Sequence, residues 1–285
     1  MLASTMTIFP CAKINLGLNI VSRRPDGYHN LETVFYPIPL CDVLSVHKMD
    51  HDFPSEKPCD LKVSGLDIEG DEDSNLVVKA YNLIAKDFRL PRVHAHLYKR
   101  IPTQAGLGGG SSDAAHMIRL LDEEFHLNMG ISEMERYAAR LGADCAFFIT
   151  SETAYAQGIG EILEPADDEY GSLEGYYLAL AKPSIAVSTR EAFSKIIPRQ
   201  PLKCCRDIVR QPIETWRSEL TNDFEQSIFS LYPSIGELKE KFYDLGAVYS
   251  QMSGSGSCVF GIFKEAPLPI DKHFPNCFTE VLKLK

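Results

Sequence analysis

The sequence predicts an α+β protein, because strand-like and helix-like hydrophobic periodicities both recur along its 285 residues. Apolar and polar residues alternate over 14–20 and 93–98, which is typical of a half-buried β-strand. Apolar residues fall at helical spacing over 75–88 and again from Ala115 to Phe125. A chain of this length forms one large domain or two smaller ones, and we place a boundary between residues 1–155 and 156–285.

Composition restricts the classes of function. The formal net charge of −10 argues against a nonspecific nucleic-acid binder, although a local nest of backbone N–H groups still binds phosphate in an acidic protein. No apolar run reaches about 18 residues and no secretory signal begins the chain, so we expect neither a membrane span nor export. The eight cysteines are scattered without a C-x-x-C pair, which predicts reduced thiols in a cytoplasmic protein.

The first half of the sequence opens on a strand whose apolar residues share one face, with Lys13, Asn15 and Asn19 on the other. A turn signal at 24–27 precedes strands over 31–39 and 42–47 and a short strand over 61–63. A helix over 75–88 then leads into the strand over 93–98. After the Ala115–Phe125 helix, another helix over 132–141 ends at Gly142, a residue that commonly terminates helices.

The second half predicts a strand over 176–181, an extended segment over 183–190 and a short helix over 191–196. A further helix follows Pro233 and continues to Leu245. Strands over 247–252 and 257–263 are joined by a Ser-Gly turn, which is typical of a hairpin.

The most informative segment is a glycine-rich loop between the strand over 93–98 and the following helix. It reads Gly106-Leu107-Gly108-Gly109-Gly110-Ser111-Ser112-Asp113-Ala114-Ala115. Glycines that open a helix let backbone N–H groups surround an anion, which predicts a phosphate site. No Lys follows the glycines, so the loop is not a Walker A motif, and Ser111 stands where a dinucleotide fingerprint needs its last glycine. A protein-kinase loop would need a downstream H-R-D segment, which the sequence lacks.

Extended back to Pro102, this segment resembles the ATP-binding motif of the GHMP kinase family, which includes galactokinase, homoserine kinase and mevalonate kinase. Cys11-Ala12-Lys13-Ile14-Asn15-Leu16 resembles the family's first motif, and residues 252–260 resemble its third. The resemblance implies a two-domain α+β fold, with an N-terminal nucleotide-binding domain, a C-terminal ferredoxin-like domain and a substrate cleft between them. It also implies ATP as co-substrate, with Mg²⁺.

Residues 24–31, which contain Asp-Gly-Tyr-His, and residues 141–148 are similar to one branch of that family. The branch phosphorylates a hydroxyl of a cytidine diphosphate sugar alcohol on the way to isoprenoids, so we expect a small-molecule substrate. Another kinase of the family, of homoserine or mevalonate type, is the first alternative. A non-catalytic ATP-binding sensor is the second, and the presence of both Lys13 and Asp144 speaks against it. We expect a monomer or homodimer with neither nucleic acid nor membrane as partner.

The resemblance makes Asp144 the base that accepts the acceptor's proton, with Lys13 beside it and the γ-phosphate. From the residues alone, Lys13 is instead a solvent-exposed strand lysine, and Asp144 is a helix-capping carboxylate that precedes an apolar strand. The resemblance assigns ATP binding to Asn75, Lys99, Pro102, Gly106, Leu107, Gly108, Gly109, Gly110, Ser111 and Ser112. It assigns substrate binding to Asn15, Tyr28, His29, Asp144, Thr189 and Phe193.

Two departures from the family's pattern stand near these residues. Cys11 occupies a position where Pro is common, and Thr103-Gln104-Ala105 replaces a more Gly-rich segment before the loop. Neither change removes a group needed for the chemistry, so we expect activity to be retained.

Overall fold

The computed structural model describes residues 5–50, 52–68, 70–167, 170 and 173–284. The chain forms two compact units, each assembled from separate stretches. Unit 1 comprises Met1–Ala12, Leu40–Thr103 and Gly108–Ser151, and unit 2 comprises Lys13–Pro39, Gln104–Leu107 and Glu152–Lys285. These are units of spatial contact, so the sequence boundary after residue 155 stays a prediction.

Strands and helices occur in separate runs along the chain, which is typical of an α+β protein. The strands are β1 Met6–Ile8, β2 Cys11–Arg23, β3 His29–Cys41, β4 Val43–Lys48, β5 Cys59–Gly65, β6 Val93–Lys99, β7 Ala154–Gln157, β8 Ile162–Pro165, β9 Tyr177–Pro183, β10 Tyr249–Met252, β11 Val259–Phe263 and β12 Cys277–Lys283. The α-helices are α1 Leu76–Ile84, α2 Gly109–Phe125, α3 Ile131–Ala139, α4 Phe147–Thr150, α5 Thr189–Phe193, α6 Cys205–Val209, α7 Trp216–Glu219, α8 Phe224–Leu231 and α9 Pro233–Asp244.

Unit 1 is a four-stranded sheet in the order β1-β4-β6-β5, with helices packed on it. β5 and β6 run parallel, and α1 forms the connection between them, as parallel neighbours require. The predicted alternation over 93–98 is confirmed, because Val93, Ala95 and Leu97 are buried while the residues between them are not. The glycine loop follows this strand and leads into α2.

Unit 2 contains two four-stranded sheets, in the orders β2-β3-β7-β8 and β10-β11-β9-β12. Every pairing in the second sheet is antiparallel, and counting β9 as the first strand gives the order 4-1-3-2 of a ferredoxin-like β-α-β-β-α-β unit. The predicted hairpin of β10 and β11 is confirmed, with Met252 paired to Val259. A 3₁₀ turn over Ile270–Lys272 takes the place of the unit's second helix.

The interpretation of the first strand as half-buried is wrong. Residues 12–20 of β2 are all buried, so its polar face does not meet solvent. Leu18 and Ile20 join the apolar core that α8, α9 and the second sheet form. The polar residues Lys13, Asn15 and Asn19 face the interior as well, where each must find a hydrogen-bond partner.

Several short elements were missed and some boundaries differ from the prediction. β7, β8, β12 and the helices α6 to α8 had no predicted counterpart. Helix α1 ends four residues before the predicted Phe88, and α5 begins at Thr189 and ends at Phe193 rather than covering 191–196. Among the helices in the described part of the chain, none combines the length and apolar character needed to cross a bilayer.

The C-terminus of α2 generates a prediction about stability. Its cap residue, His126, is exposed and has a φ of +53°, a left-handed conformation that strains any residue with a Cβ. His126→Gly should therefore raise the free energy of unfolding by about 1 kcal/mol in urea titrations. His126→Ala retains the Cβ and serves as the control, so an equal gain in both variants would contradict the strain argument.

Candidate active site

In unit 2, strand β2 presents Lys13 to the glycine loop. The side chain is 3 % exposed, so the interpretation of a solvent-exposed strand lysine is wrong. Its Nζ donates to the carbonyl oxygen of Gly106 at 3.0 Å and to Asn15 Oδ1 at 2.6 Å, and lies 5.1 Å from the centre of the Phe35 ring. The backbone N–H of Lys13 also donates to the carbonyl of Leu107 at 3.0 Å. These contacts therefore hold the ammonium in one position against the loop.

Asn15 lies two residues along the same strand, on the same face as Lys13. Its Oδ1 accepts from the lysine, and its Nδ2 donates to Thr33 Oγ1 at 3.0 Å. The Thr33 hydroxyl in turn donates to the carbonyl of Gly17 at 2.5 Å. Asn15 thus orients Lys13 within unit 2, whereas its predicted contact with substrate stays a prediction.

The third sequence motif, residues 252–260, also hydrogen-bonds to the glycine loop. Ser253 Oγ donates to the carbonyl of Gly106 at 2.9 Å, and the backbone N–H of Cys258 donates to the carbonyl of Ala105 at 3.2 Å. A Cβ on Gly106 would lie 1.9 Å from the backbone oxygen of Ser253, so only glycine fits there. The resemblance identified this motif without naming a functional residue in it, and Ser253 was therefore missed.

Gln104 adopts a left-handed conformation, with a φ of +50°, in the segment where the family is more Gly-rich. It lines an open cavity of about 370 Å³ in unit 2 together with Gly106, Ser188, Thr189 and Ser255. Thr189, the first residue of α5, thus lies on a cavity that the glycine loop also borders. The sequence pattern had marked this segment only as a departure.

Two of the three aromatic side chains predicted to hold the substrate's base are in contact in unit 2. The rings of His29 and Phe193 stack with centroids 4.8 Å apart and planes 19° from parallel. Phe193 also meets Phe224 edge to face, which fixes its orientation. Partial burial and the nearby Arg23 lower the pKa of His29, so the imidazole is neutral near pH 7, a form that can both donate and accept a hydrogen bond. Tyr28 is 62 % exposed, an unusual exposure for so large a ring.

In unit 1, the loop ends where α2 begins. Gly108 has a φ of +71°, and the first i to i−4 bond of the helix runs from the N–H of Ser112 to the carbonyl of Gly108. The N–H groups of Gly109, Gly110 and Ser111 precede that bond, so α2 leaves them for a ligand or solvent. A Cβ on Gly109 would lie 2.8 Å from Ile101 Cγ2, which explains the glycine. This geometry supports the predicted anion site.

The two serines of the motif differ in exposure. Ser111 is half-buried and its hydroxyl lies near the Cys145 thiol, where it opposes the rise in that thiol's pKa caused by burial, whereas Ser112 is fully buried. Ser112 contacts His116 one turn later: His116 Nδ1 lies 2.9 Å from the Ser112 carbonyl and 3.3 Å from its hydroxyl. A carbonyl oxygen only accepts, so we assign the His116 proton to Nδ1.

Asp144 lies in the turn between α3 and α4 and is half-buried. The expectation that it precedes an apolar strand is wrong, because the apolar residues that follow form the short helix α4. The neighbouring Cys145 meets Ser111, so this turn lies beside the start of α2. Unit 1 therefore brings the predicted base close to the predicted phosphate site.

The remaining predicted ATP contacts, Asn75, Lys99 and Pro102, lie in unit 1 with this helix start. Asn75 caps α1 through Oδ1, which accepts from the N–H of Val77 at 2.9 Å. Lys99 is buried, and its Nζ lies 3.5 Å from the position a Cβ would take on Gly109. Pro102 is half-buried and lies three residues after Lys99, the last residue of β6. Among the described residues, no three His, Cys, Asp or Glu side chains cluster as a metal site would require.

Comparisons with known proteins show the family to which the chain belongs. The family model described as GHMP kinases N terminal domain matches residues 75–152, and the one described as GHMP kinases C terminal matches residues 206–270. A 4-diphosphocytidyl-2-C-methyl-D-erythritol kinase from Bacteroides fragilis is 51% identical, with 98% of this chain and 100% of that protein aligned. One of the same name from Cytophaga hutchinsonii is 46% identical, over 95% of this chain and 97% of that protein.

Solved structures show the same fold. A crystal structure of 4-(cytidine 5′-diphospho)-2C-methyl-D-erythritol kinase matches with a TM-score of 0.77 and 28% identity, covering 98% of this chain and 100% of that chain. Mevalonate kinase from Methanococcus jannaschii matches with a TM-score of 0.68 at 12% identity, with full coverage of both chains. The second match shows the fold alone.

The buried His116 predicts a pH dependence of stability. Burial lowers its pKa from 6.5 to about 4, so the unfolded chain binds a proton between these values that the folded chain does not. Stability should fall by about 2–3 kcal/mol from this group as the pH drops from 7 to 4. His116→Asn retains a donor for the Ser112 carbonyl but does not titrate. Urea unfolding at several pH values measures the free energy of unfolding of wild type and of His116→Asn. If that free energy changes with pH in the same way for both proteins, the prediction is contradicted.

Proposed function

Because this chain belongs to the GHMP kinase family, we propose that it transfers the γ-phosphate of ATP to the 2-hydroxyl of 4-(cytidine 5′-diphospho)-2-C-methyl-D-erythritol. This reaction belongs to the non-mevalonate route to isopentenyl diphosphate. The observation that carries the proposal is Lys13, a buried ammonium fixed against the carbonyl of Gly106 in a glycine-rich phosphate loop. The names of relatives about half identical over nearly the whole chain support the choice of acceptor.

ATP binds through its phosphates at the start of α2 in this proposal. The N–H groups of Gly109, Gly110 and Ser111 donate to phosphate oxygens, and the positive end of the helix dipole adds to the attraction. Leu107 and Gly108 shape the loop, and Asn75, Lys99, Pro102 and Ser112 complete the predicted ATP set. The absence of side chains on the glycines allows the phosphates to approach the backbone.

The acceptor hydroxyl gives its proton to Asp144 as its oxygen bonds to the γ-phosphorus. The bond from that phosphorus to the bridging oxygen breaks, and ADP leaves. Lys13 stabilises the negative charge that spreads over the transferring phosphoryl group. No covalent enzyme intermediate is required, because positioning and charge stabilisation supply most of the catalysis.

We assign recognition of the cytosine to unit 2. An aromatic ring at Tyr28 stacks on the base, and the neutral imidazole of His29 reads its polar edge. Phe193 packs on the face of the base opposite Tyr28, with Thr189 nearby on α5. Asn15 contacts the sugar-alcohol end of the substrate.

Mg²⁺ enters this proposal with ATP. Oxygen atoms suit the ion, and the half-buried Ser111 hydroxyl is an oxygen group in the first turn of α2. When bound, the ion neutralises charge on the phosphate oxygens.

We also propose a cytoplasmic enzyme, monomeric or homodimeric, with a sequence-domain boundary after residue 155. The two family matches, which lie on either side of that position, support the boundary.

Replacing the two charged groups tests the mechanism. Asp144→Asn and Lys13→Met should each lower kcat by about a hundredfold or more, because one removes the base and the other the stabilising cation. The double variant should lose little more than the worse single variant, since the two act on one step. Steady-state ADP release measures all three.

The exposed Asp244→Asn at the end of α9 is the matched control and should keep wild-type turnover. Unchanged ADP release by Asp144→Asn would refute the base assignment. Turnover of mevalonate or homoserine in place of the cytidine substrate would refute the choice of acceptor.

Tyr28→Ala tests the recognition of the base. Loss of one aromatic stack on a base costs about 1–3 kcal/mol, so KM for the cytidine substrate should rise about tenfold or more. KM for ATP should stay within about twofold of wild type, because ATP binds elsewhere. Tyr98→Ala, at an exposed tyrosine of β6, is the control. Equal changes in both KM values would argue against a role in cytosine binding.

A further inference from the structure

Unit 1 buries three ionisable side chains together beneath the glycine loop. Asp42, between β3 and β4, is 0 % exposed, and Lys99 at the end of β6 and Asp113 in α2 are each 3 % exposed. Lys99 Nζ donates to Asp113 Oδ2 at 2.7 Å and also to Asp42 Oδ2. One ammonium thus joins two carboxylates from separate segments of the chain.

The two carboxylates hold opposite ends of the loop. Asp42 Oδ1 accepts the backbone N–H groups of Arg100 and Ile101, at 2.6 and 2.8 Å, where the chain leaves β6. Asp113 lies in α2, four residues after Gly109, the first residue of that helix. The chain between these anchors contains the glycines of the predicted phosphate site. Both anchors therefore depend on the single ammonium of Lys99.

Resting on the function proposed above, we propose that Asp42, Lys99 and Asp113 form a positioning brace that holds the glycine loop in its ATP-binding shape. Lys99 is then a positioning residue, in place of the direct ATP contact that the resemblance implies. The brace acts through the geometry of the loop and touches neither ATP nor the acceptor.

The charges of the three groups favour a geometric role. Burial is the largest influence on Asp113 and raises its pKa, with Lys99 opposing and Asp42 reinforcing the rise. For Lys99, burial alone lowers the pKa, but the two carboxylates together outweigh it and keep the amine charged. With one positive group and two carboxyl groups, the net charge is zero or negative. Such a cluster does not attract a triphosphate, so a lysine kept for phosphate binding would be poorly placed.

Among the described residues, the charged groups that act on Asp113 come from Lys99 and Asp42. The buried residues of α1 and α4 that pack on α2 are apolar apart from the Tyr81 hydroxyl. That hydroxyl donates to the carbonyl of Pro91. Asp113 Oδ1 is buried and has no hydrogen-bond partner among the described residues. The ion-pair contact of Asp113 within the described residues is therefore internal to this cluster.

The brace and a direct contact between Lys99 and ATP predict opposite changes in ATP affinity when a carboxylate of the cluster is neutralised. If Lys99 touched the triphosphate, Asp113→Asn would remove a negative charge nearby and tighten ATP binding. If the three groups act as a brace, Asp113→Asn loosens the loop, and the fraction of competent loop falls. The dissociation constant for ATP should then rise about tenfold by titration calorimetry. A tightened or unchanged value in Asp113→Asn would overturn the brace.

Asp42→Asn provides a second, independent variant. One amide oxygen cannot replace two carboxylate oxygens that accept three hydrogen bonds, so its dissociation constant should rise at least as far as that of Asp113→Asn. Folding of each variant is checked by circular dichroism before titration. If Asp42→Asn does not fold, the result for Asp113→Asn alone decides the matter.

The kinetic signature and a control complete the test. In Asp113→Asn, KM for ATP should rise while KM for the cytidine substrate stays unchanged, a split that general destabilisation would not produce. Lys57→Met removes a lysine from an exposed ion pair with Glu72 in the same unit and should leave ATP affinity unchanged. If wild type binds ATP but does not phosphorylate the cytidine substrate, the proposed function fails while the brace is still judged by ATP affinity.

Discussion

The carbonyl oxygen of Gly106 is the point at which the three sequence motifs meet. It accepts from Lys13 Nζ, 93 residues earlier in the chain, and from Ser253 Oγ, 147 residues later. A Cβ at Gly106 would collide with the Ser253 backbone, so the approach is possible only for glycine. The position of the ammonium, the shape of the loop and the placement of the third motif therefore depend on one atom. Because the donors come from distant parts of the chain, the arrangement forms only when unit 2 is folded.

Sequence periodicity predicted the elements that stand alone and missed the ones that depend on partners. β6, the β10–β11 hairpin and α9 carry long, regular patterns, and the structure confirms them. The apolar run at residues 145–149 is too short for its period to be read, and the structure makes it part of a turn and a helix. β2 shows the opposite failure, since its alternation is real but both of its faces are covered. Periodicity reports which side chains share a face, whereas burial of the polar face depends on tertiary packing.

The residues of the site divide in the same way. The motifs located Lys13, the glycines and Asp144, because these positions match a family pattern residue by residue. Asp42 and Ser253 gave no such signal, since an aspartate between two strands and a serine beside a glycine are both typical of turns. Their importance lies in the backbone groups and the ammonium that they bind, which are far away in sequence. No pattern within one sequence identifies such partners.

The two classes of functional residue also differ in how firmly the fold holds them. Lys13 and Lys99 are buried, and each bonds to groups from other segments, so replacing either changes the loop as well as the charge. Tyr28 stands on an exposed turn, where its ring makes little buried contact. A substitution there changes what the ring binds without disturbing a core. The residues proposed to hold the phosphate loop are therefore fixed by the fold, whereas the residue proposed to bind the base tolerates change. Kinases that share this fold can then differ in acceptor while the geometry around the glycine loop stays the same.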